Sequence, residues 1–398
     1  AISDKGGRLV RKLTGDERES LAALTSYGVD SALLEVTETG LHKSIMDATR
    51  PVRELLLGNK LHDYDSQAQG TDFKVILPAI IFSGDQDRDA KASLYRPQTK
   101  QGDPRIWFYG LKAQANPFDI LAIVPNAGTL LLINLTQLAA RYIKAGRLGA
   151  ILSAMSRPAG SASEELLERL QVLAKAGPLK SVMADRSDTA IGRTLEAALG
   201  IAMNSSKSPD YKGIELKASR RRKAARAVRK TLFAQVPDWS RSPFKSSAEI
   251  LQAFGYDRGD DFKLYCTVNA AKVNSQGLSF DVQAEAGDLW EVSNQAAIDK
   301  FAVWSLDKLR ERLASKHAET FWVTARPEML GSQEWYHLDK VLHTRKPVLS
   351  QLDPLLDQGV ITMDHLIKRT PTGGAKEKGP LFKIAGPDLP LLFPPPLE

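Results

Sequence analysis

The sequence predicts an α/β protein in two parts. An N-terminal α+β unit spans residues 1–155 and a C-terminal α/β unit spans 178–398, joined by a linker and helix over 156–177. Three observations predict this. A length of 398 residues suits two or three domains of about 150 residues. Stretches of helical and strand period succeed one another along the chain. Ser156–Ser163 (SRPAGSAS) is a small, polar, Pro/Gly-bearing break of the kind that separates units. Apolar residues make up 43% of the chain, ordinary for a globular core, which excludes disorder along the whole length.

Thr14-Gly15-Asp16-Glu17 reads as a helix cap, followed by Leu21, Leu24 and Tyr27 at helical spacing and stopped by Gly28. Residues 72–83 read as strand, with Pro78 implying two pieces or an edge. Residues 104–111 carry aromatic and β-branched residues. Two apolar runs, 118–124 and 129–135, flank a Pro-Asn-Ala-Gly turn and read as a β-hairpin. After the linker, Ser163–Lys175 is a predicted helix with Leu166, Leu167, Leu170 and Leu173 as its apolar face. Asp188–Ile201 is another, with Ile191, Leu195, Leu199 and Ala198 as its stripe and Glu196 beside it. Phe262–Ala270 and Thr320–Glu328 are predicted strands. Trp304, Trp322 and Trp335 read as core or cleft wall, and Cys266 as packing. Pro387–Glu398 is Pro- and Leu-rich and is expected to lie over the surface as an extended tail.

A single cysteine excludes an internal disulfide framework and a Cys-based zinc site. The six histidines contain no pair at metal-helix spacing; His337 and His343 stand six apart. Asp4, Lys5 and Arg8 interrupt the start, so no secretory signal is expected. The most apolar stretch, Ile120–Leu135, is broken at Pro125 and is too short to span a bilayer. The chain is therefore expected to be soluble, cytoplasmic and without membrane partners. Fifty-four Lys+Arg against 47 Asp+Glu give a net charge of +7, a balance compatible with nucleic acid or anionic surfaces.

The informative stretch is 188–233. Ile214-Glu215-Leu216-Lys217 alternates apolar and charged, the pattern of a half-buried strand, so Glu215 and Lys217 point to one face. Asp210 lies five residues upstream and converges on Glu215 if the chain bends at Gly213. Two such carboxylates can hold Mg²⁺, which prefers oxygen ligands. A lysine beside them can orient or help deprotonate the attacking water and stabilise charge on a phosphate. The same spacing also suits a solvated strand face closed by a salt bridge. Between Lys212 and Lys230 nine basic residues (Lys212, Lys217, Arg220, Arg221, Arg222, Lys223, Arg226, Arg229 and Lys230) face one acid, Glu215. The alanines predict a helix over 219–230 with Arg222, Arg226, Arg229 and Lys230 along one face. Such a run suits a phosphate backbone; a solvated helix or a basic targeting signal is the alternative.

At these residues the sequence resembles the MvaI/BcnI family of restriction endonucleases, of the PD-(D/E)XK superfamily and related in fold to the mismatch-repair nicking enzyme MutH. The matching segments are Gly192–Ile201, Pro209–Lys217 and Thr231–Phe233. Phe262–Ala270, Val303–Leu313, Thr320–Glu328 and Gly359–Ile384 then follow in the family's order. The resemblance covers roughly 178–386 and implies a central mixed sheet flanked by helices, with DNA in a cleft. It implies Asp210 and Glu215 as metal ligands, Lys217 as the catalytic lysine, and Glu196 as a residue completing the metal site. The cofactor implied is Mg²⁺, with Mn²⁺ as substitute. Where the family carries base-reading histidines in its last hairpin, this chain has Gly373–Gly379 without histidine. Lys376 and Lys378, with Lys368 and Arg369 on the other limb, can donate to guanine O6 and N7 or to phosphate.

The function implied is hydrolysis of phosphodiesters in double-stranded DNA by a sequence-specific type II restriction or phage-defence nuclease. It would cut one strand per active site, as a monomer or weak dimer. One alternative is a MutH-like nicking nuclease of DNA repair controlled by a partner protein. Another is a DNA-binding module with an inactive nuclease site. The N-terminal unit lies outside the resemblance. Its segment Leu94–Leu111 interleaves Arg96, Lys100 and Arg105 with Tyr95, Trp107, Phe108 and Tyr109. That suits nucleic acid or a strand with packed aromatics. The unit is a candidate DNA-binding or effector module for a second DNA copy or a regulatory partner.

Overall fold

The computed structural model describes residues 9–156, 161–184, 187, 189–201, 210–221, 229–295, 297–377 and 379–394. Thr14 opens helix α1 (Gly15–Thr25) with a full capping box: its hydroxyl accepts from Glu17 N–H, and the Glu17 carboxylate accepts from Thr14 N–H. The N-terminal unit continues through β1 (Ala32–Glu35), α2 (Glu38–Lys43), β2 (Met46–Asp47), α3 (Arg50–Gly58), β3 (Val75–Ser83), β4 (Gln86–Tyr95), β5 (Arg105–Phe108), β6 (Ile120–Asn126), β7 (Thr129–Asn134), α4 (Ala140–Ile143) and α5 (Gly146–Met155). Its strands form one seven-stranded mixed sheet in the order β1-β6-β7-β3-β4-β5-β2.

The β6–β7 hairpin turns on Ala127 and Gly128, at φ of 44° and 87°. Two positive φ values in a two-residue loop match the right-handed twist of the flanking strands. Strand β3 runs unbroken through Pro78, which stands where the strand is paired on one side only, in keeping with the edge alternative. Its parallel pairing with β7 begins only at Ala79, so the proline precedes the two-sided part of the strand. Trp107 and Phe108 are buried in the core, and Arg105 is ion-paired with Asp47 and Asp103. The aromatics of Leu94–Leu111 are thus largely packing; Tyr109 remains exposed.

The remainder comprises α6 (Ser161–Ala176), β8 (Leu179–Lys180), α7 (Ala190–Ala198), β9 (Glu215–Arg220), β10 (Arg229–Ala234), α8 (Ser247–Phe254), β11 (Tyr256–Arg258), β12 (Asp261–Val268), β13 (Leu278–Gln283), β14 (Asp288–Gln295), β15 (Ile298–Ser305), α9 (Leu306–Lys316), β16 (Glu319–Leu330), β17 (Gln333–Arg345), α10 (Leu352–Asp357), β18 (Ile361–Arg369), β19 (Ala375–Glu377) and β20 (Leu381–Ala385). The mixed sheet has the order β8-β17-β16-β9, with β9 parallel to β16 at its edge. Two antiparallel sheets accompany it: β10-β20-β18-β12-β11, with β19 added to β18, and the meander β13-β14-β15. No helix among the described residues is long and apolar enough to cross a membrane.

Two expectations are corrected. Arg220 closes β9, and Arg229 and Lys230 open β10, so the ends of the expected 219–230 helix are strands. Pairing with β16 and β20 overrides the helical propensity there. Residues 222–228 lie outside the described residues. The C-terminal segment is not a surface tail through 394. Leu389, Leu391, Leu392 and Phe393 are buried, and Val348 N–H donates to Leu392 carbonyl at 2.9 Å. Phe393 packs edge-on against His317 and Trp322. An apolar side chain gains on the order of 2 kcal/mol by burial, which outweighs the extended preference of the flanking prolines.

One apolar cluster joins the two parts, with Leu21, Leu24 and Ile133 on one side and Phe301, Trp304, Phe382 and Phe393 on the other. Gln358 fastens the seam: its side chain accepts from Leu13 N–H and donates to the carbonyls of Val10 and Arg11.

Candidate active site

The even and odd residues of β9 serve different ends. Leu216, with Ile214 just before the strand, packs against Leu166 and Leu170 of α6, Leu195 of α7 and Leu199 just after it. Leu167, expected on the apolar face of α6, is exposed, as is Ala198 on α7. The opposite register carries Glu215, Lys217 and Ser219. Lys217 Nζ lies 2.7 Å from Glu215 Oε1, and that carboxylate is 2% exposed.

Asp210 reaches the strand through a tight turn. Tyr211 and Ile214 exchange backbone hydrogen bonds of 2.9 and 2.7 Å, with Lys212 and Gly213 between them at φ of 45° and 87°. Two consecutive positive φ values need a glycine for at least one position. The bend at Gly213 therefore brings Asp210 back along β9, where its Oδ2 accepts from Leu216 N–H at 2.8 Å. Helix α6 steadies the turn: Glu165 accepts from Tyr211 Oη at 2.7 Å and pairs with Lys212 at 2.5 Å.

Burial raises the Asp210 carboxyl above its ordinary range, and the nearby Glu215 adds to this against the Leu216 hydrogen bond. Glu196 on α7 is raised likewise by burial and by Asp210. Three carboxylates thus share one field, and their excess negative charge suits a divalent cation. The donors are hard oxygens, as Mg²⁺ requires. Among the described residues no trio of acidic or imidazole side chains forms a closed cage. Asp210 and Glu215 would therefore hold the ion with water completing its shell, the arrangement Mg²⁺ favours. The residues fit the metal.

Lys316 escaped the sequence reading. It ends α9, and its Nζ lies 3.4 Å from both oxygens of Glu215. The parallel register pairs Thr320 of β16 with Glu215, so the residue four positions earlier arrives beside the carboxylate. Nothing local in the sequence marks it. Its neighbour His317 is fully buried, bonded through Nε2 to Leu232 carbonyl at 2.7 Å and through Nδ1 to Thr320 Oγ1 at 2.8 Å.

The basic residues divide by partner. Arg220 makes a two-pronged contact to Glu334 at 3.1 and 2.8 Å and also donates to Ser187 carbonyl and Tyr336 Oη. Arg229 binds Asp364 at 2.7 and 3.1 Å, with Thr362 and Thr267 alongside. Lys230 donates to Ser219 at 2.8 Å, and burial lowers its pKa. Arg221, more exposed, pairs with Asp339 at 2.9 Å. Lys368 pairs with Asp261 at 2.6 Å, and Arg369 lies 3.9 Å over the Phe262 ring. Lys376 is exposed on β19. Arg222, Lys223, Arg226 and Lys378 lie outside the described residues. The run of nine cations is therefore not one free surface: Arg220 and Arg229 are committed to internal carboxylates.

The model of the MvaI/BcnI restriction endonuclease family matches residues 167–393, more than half of the chain. No curated protein matches the chain. Among solved structures, the complex of restriction endonuclease MvaI with its cognate DNA substrate is similar at a TM-score of 0.50 and 20% identity, over 59% of this chain and 97% of that one. MvaI in the absence of DNA is also similar, at a TM-score of 0.36 and 20% identity, over 60% and 97% of the two chains. The chain belongs to the MvaI/BcnI restriction endonuclease family, and its C-terminal part has the fold the sequence predicts.

Proposed function

We propose that this family member is a Mg²⁺-dependent endonuclease that hydrolyses phosphodiesters in double-stranded DNA at a specific sequence, with Mn²⁺ able to substitute. The observation that carries the reading is the meeting of Asp210, Glu215 and Lys217 at the start of an edge strand. The solved relative bound to its cognate DNA supports DNA as the substrate class.

Bound Mg²⁺ would supply Lewis-acid stabilisation of the phosphate and a more acidic water. The chain does the rest. Leu216 N–H orients Asp210. Lys316 and Lys217 flank Glu215 and offset the burial of its charge. Lys217 is the more exposed of the two lysines. Its ammonium orients the attacking water and stabilises charge gathering on the phosphate oxygens. The 3′ oxygen leaves opposite the attack. One such site cuts one strand per encounter, so a monomer or weak dimer breaks a duplex by rebinding or pairing.

The test compares wild type with Asp210→Ala and Lys217→Ala on supercoiled plasmid in Mg²⁺. Wild type should convert plasmid to nicked and linear forms without any accessory protein, and both variants should fail. A wild type that binds varied DNA yet leaves it intact would refute the enzyme reading. Variants that cut as well as wild type would refute the site.

A further inference from the structure

A buried ionic chain runs beneath the hairpin formed by β18 and β19. His365 of β18 is completely buried. Its Nε2 lies 2.9 and 3.0 Å from the two carboxylate oxygens of Glu291 on β14, which is also completely buried. On the other side of the ring, Nδ1 lies 3.7 Å from Oε1 of Glu377, the last residue of β19. Ser247, at the start of α8, donates to the second oxygen of Glu377. A buried carboxylate is costly unless paired; Glu291 is hydrogen-bonded to His365, whereas His365 Nδ1 and Glu377 Oε1 face each other as an ion contact without a hydrogen bond.

The members belong to different bodies. Glu291 sits in the meander, His365 in the six-stranded sheet, and Ser247 on α8. Glu377 sits on a three-residue strand that pairs with β18 only at Ile367, Lys368 and Arg369. The residues at the hairpin's tip, 371–374, are exposed. Thr370 and Gly374 close it through their backbone. A ribbon this short is marginal alone. Its neighbours Lys368, Arg369 and Lys376 are exposed, Lys368 paired with Asp261 and Arg369 lying over the Phe262 ring. Glu377 is thus, with Ala375 packed against the core, a tether between a basic, exposed ribbon and the protein interior.

We infer that Glu377 and His365 are positioning residues for DNA recognition, which set the height and register of the Lys368–Lys376 ribbon over the duplex. The inference rests on the nuclease reading above. Neither side chain touches DNA; both act through the lysines of the ribbon. Misplacing recognition groups by about an ångström costs tenfold or more in such sites. The step that suffers is discrimination between sequences, because Glu215 and Lys217 stand in another sheet, with Asp210 in the turn that leads into it.

The test uses the full chain with Glu377→Gln and, as a milder cut of the same tether, Ser247→Ala. Hydrogen exchange reads the ribbon without DNA. In Glu377→Gln, amides 374–377 should lose protection while those of 361–366 keep it. On plasmid and defined duplexes in Mg²⁺, KM for the target should rise roughly tenfold with kcat within about twofold, and cleavage at near-target sites should appear. Ser247→Ala should shift the same quantities in the same direction by less, which keeps the test open if Glu377→Gln folds poorly. Unchanged exchange at 374–377, or unchanged KM and site selection in both variants, overturns the inference. A fall in kcat alone also overturns it. Wild-type protein that does not cut DNA refutes the nuclease reading instead, and the exchange result still decides the tether.

Discussion

Lys316 Nζ stands 3.4 Å from both carboxylate oxygens of Glu215, although the two residues are 101 positions apart. Lys217 approaches the same carboxylate at 2.7 Å. Glu215 thus meets two cations in a nearly dry setting, one from its own strand and one from the helix that leads into the neighbouring strand. Two lysines offset one carboxylate, while Asp210 and Glu196 are left with raised proton affinity.

Lys316→Met should lower single-turnover plasmid cleavage by about 10- to 100-fold, since an oriented charge in a dry site is worth a few kcal/mol. Lys316→Arg should recover part of it. A variant that cleaves as fast as wild type would confine Lys316 to a packing role.

Asp210→Asn should separate stability from activity. Burial and Glu215 raise the Asp210 pKa, so its ionised form costs stability at neutral pH, and an amide can still accept from Leu216 N–H. In the absence of divalent metal the melting temperature should rise. Cleavage should fall below detection. A lower melting temperature would contradict the assigned repulsion.

Two buried histidines set opposite pH limits. Burial pushes His317 down to about 4, so its contribution is present above about 6.5, the unfolded value, and is lost as pH falls towards 4. For His365, burial opposes protonation, but Glu291 and Glu377 raise it to about 9. Its contribution is complete below about 6.5 and is lost as pH rises through 9. Denaturant unfolding across this range should show both limbs. His317→Gln should flatten the acid limb while leaving the alkaline one. An unchanged acid limb in that variant would exclude His317 as its source.

Two cations that the sequence reads alike as DNA contacts, Arg220 and Lys376, should behave differently. Arg220→Met removes the two-pronged contact to the buried Glu334, which keeps the Tyr336 hydroxyl, and should cost about 3 kcal/mol of stability, the penalty for breaking a buried pair. Lys376→Ala should leave stability within about 0.5 kcal/mol. It should reduce the slope of log affinity for DNA against log salt by about 0.9, one phosphate contact. Urea titration and binding at several salt concentrations measure both. A Lys376→Ala slope equal to that of wild type would remove this residue from the DNA surface.

The site's centre was legible because its geometry is local. Alternation puts Glu215 and Lys217 on one face two residues apart, and Gly213 permits the turn that returns Asp210. The capping box at Thr14 and the hairpin at Ala127-Gly128 were legible for the same reason. Other readings depended on distant partners. Residues 219–230 look helical alone, yet both described ends are strands because β16 and β20 pair with them. Residues 387–394 look like a surface tail, yet Leu392 and Phe393 fill a gap between His317, Trp322 and the N-terminal unit.

By itself, the sequence determined the local pattern of this protein: the residues of the carboxylate–lysine centre, the strand that carries two of them, and most of the elements around it. Short-range backbone preference and side-chain periodicity suffice for that. Only the tertiary structure decided which charges remain available. Arg220 and Arg229 are bound to Glu334 and Asp364, Lys316 joins Glu215, and Glu377 is drawn inward to His365. Ion pairing acts through space and depends on which strands lie side by side, which no run of charge in the chain encodes.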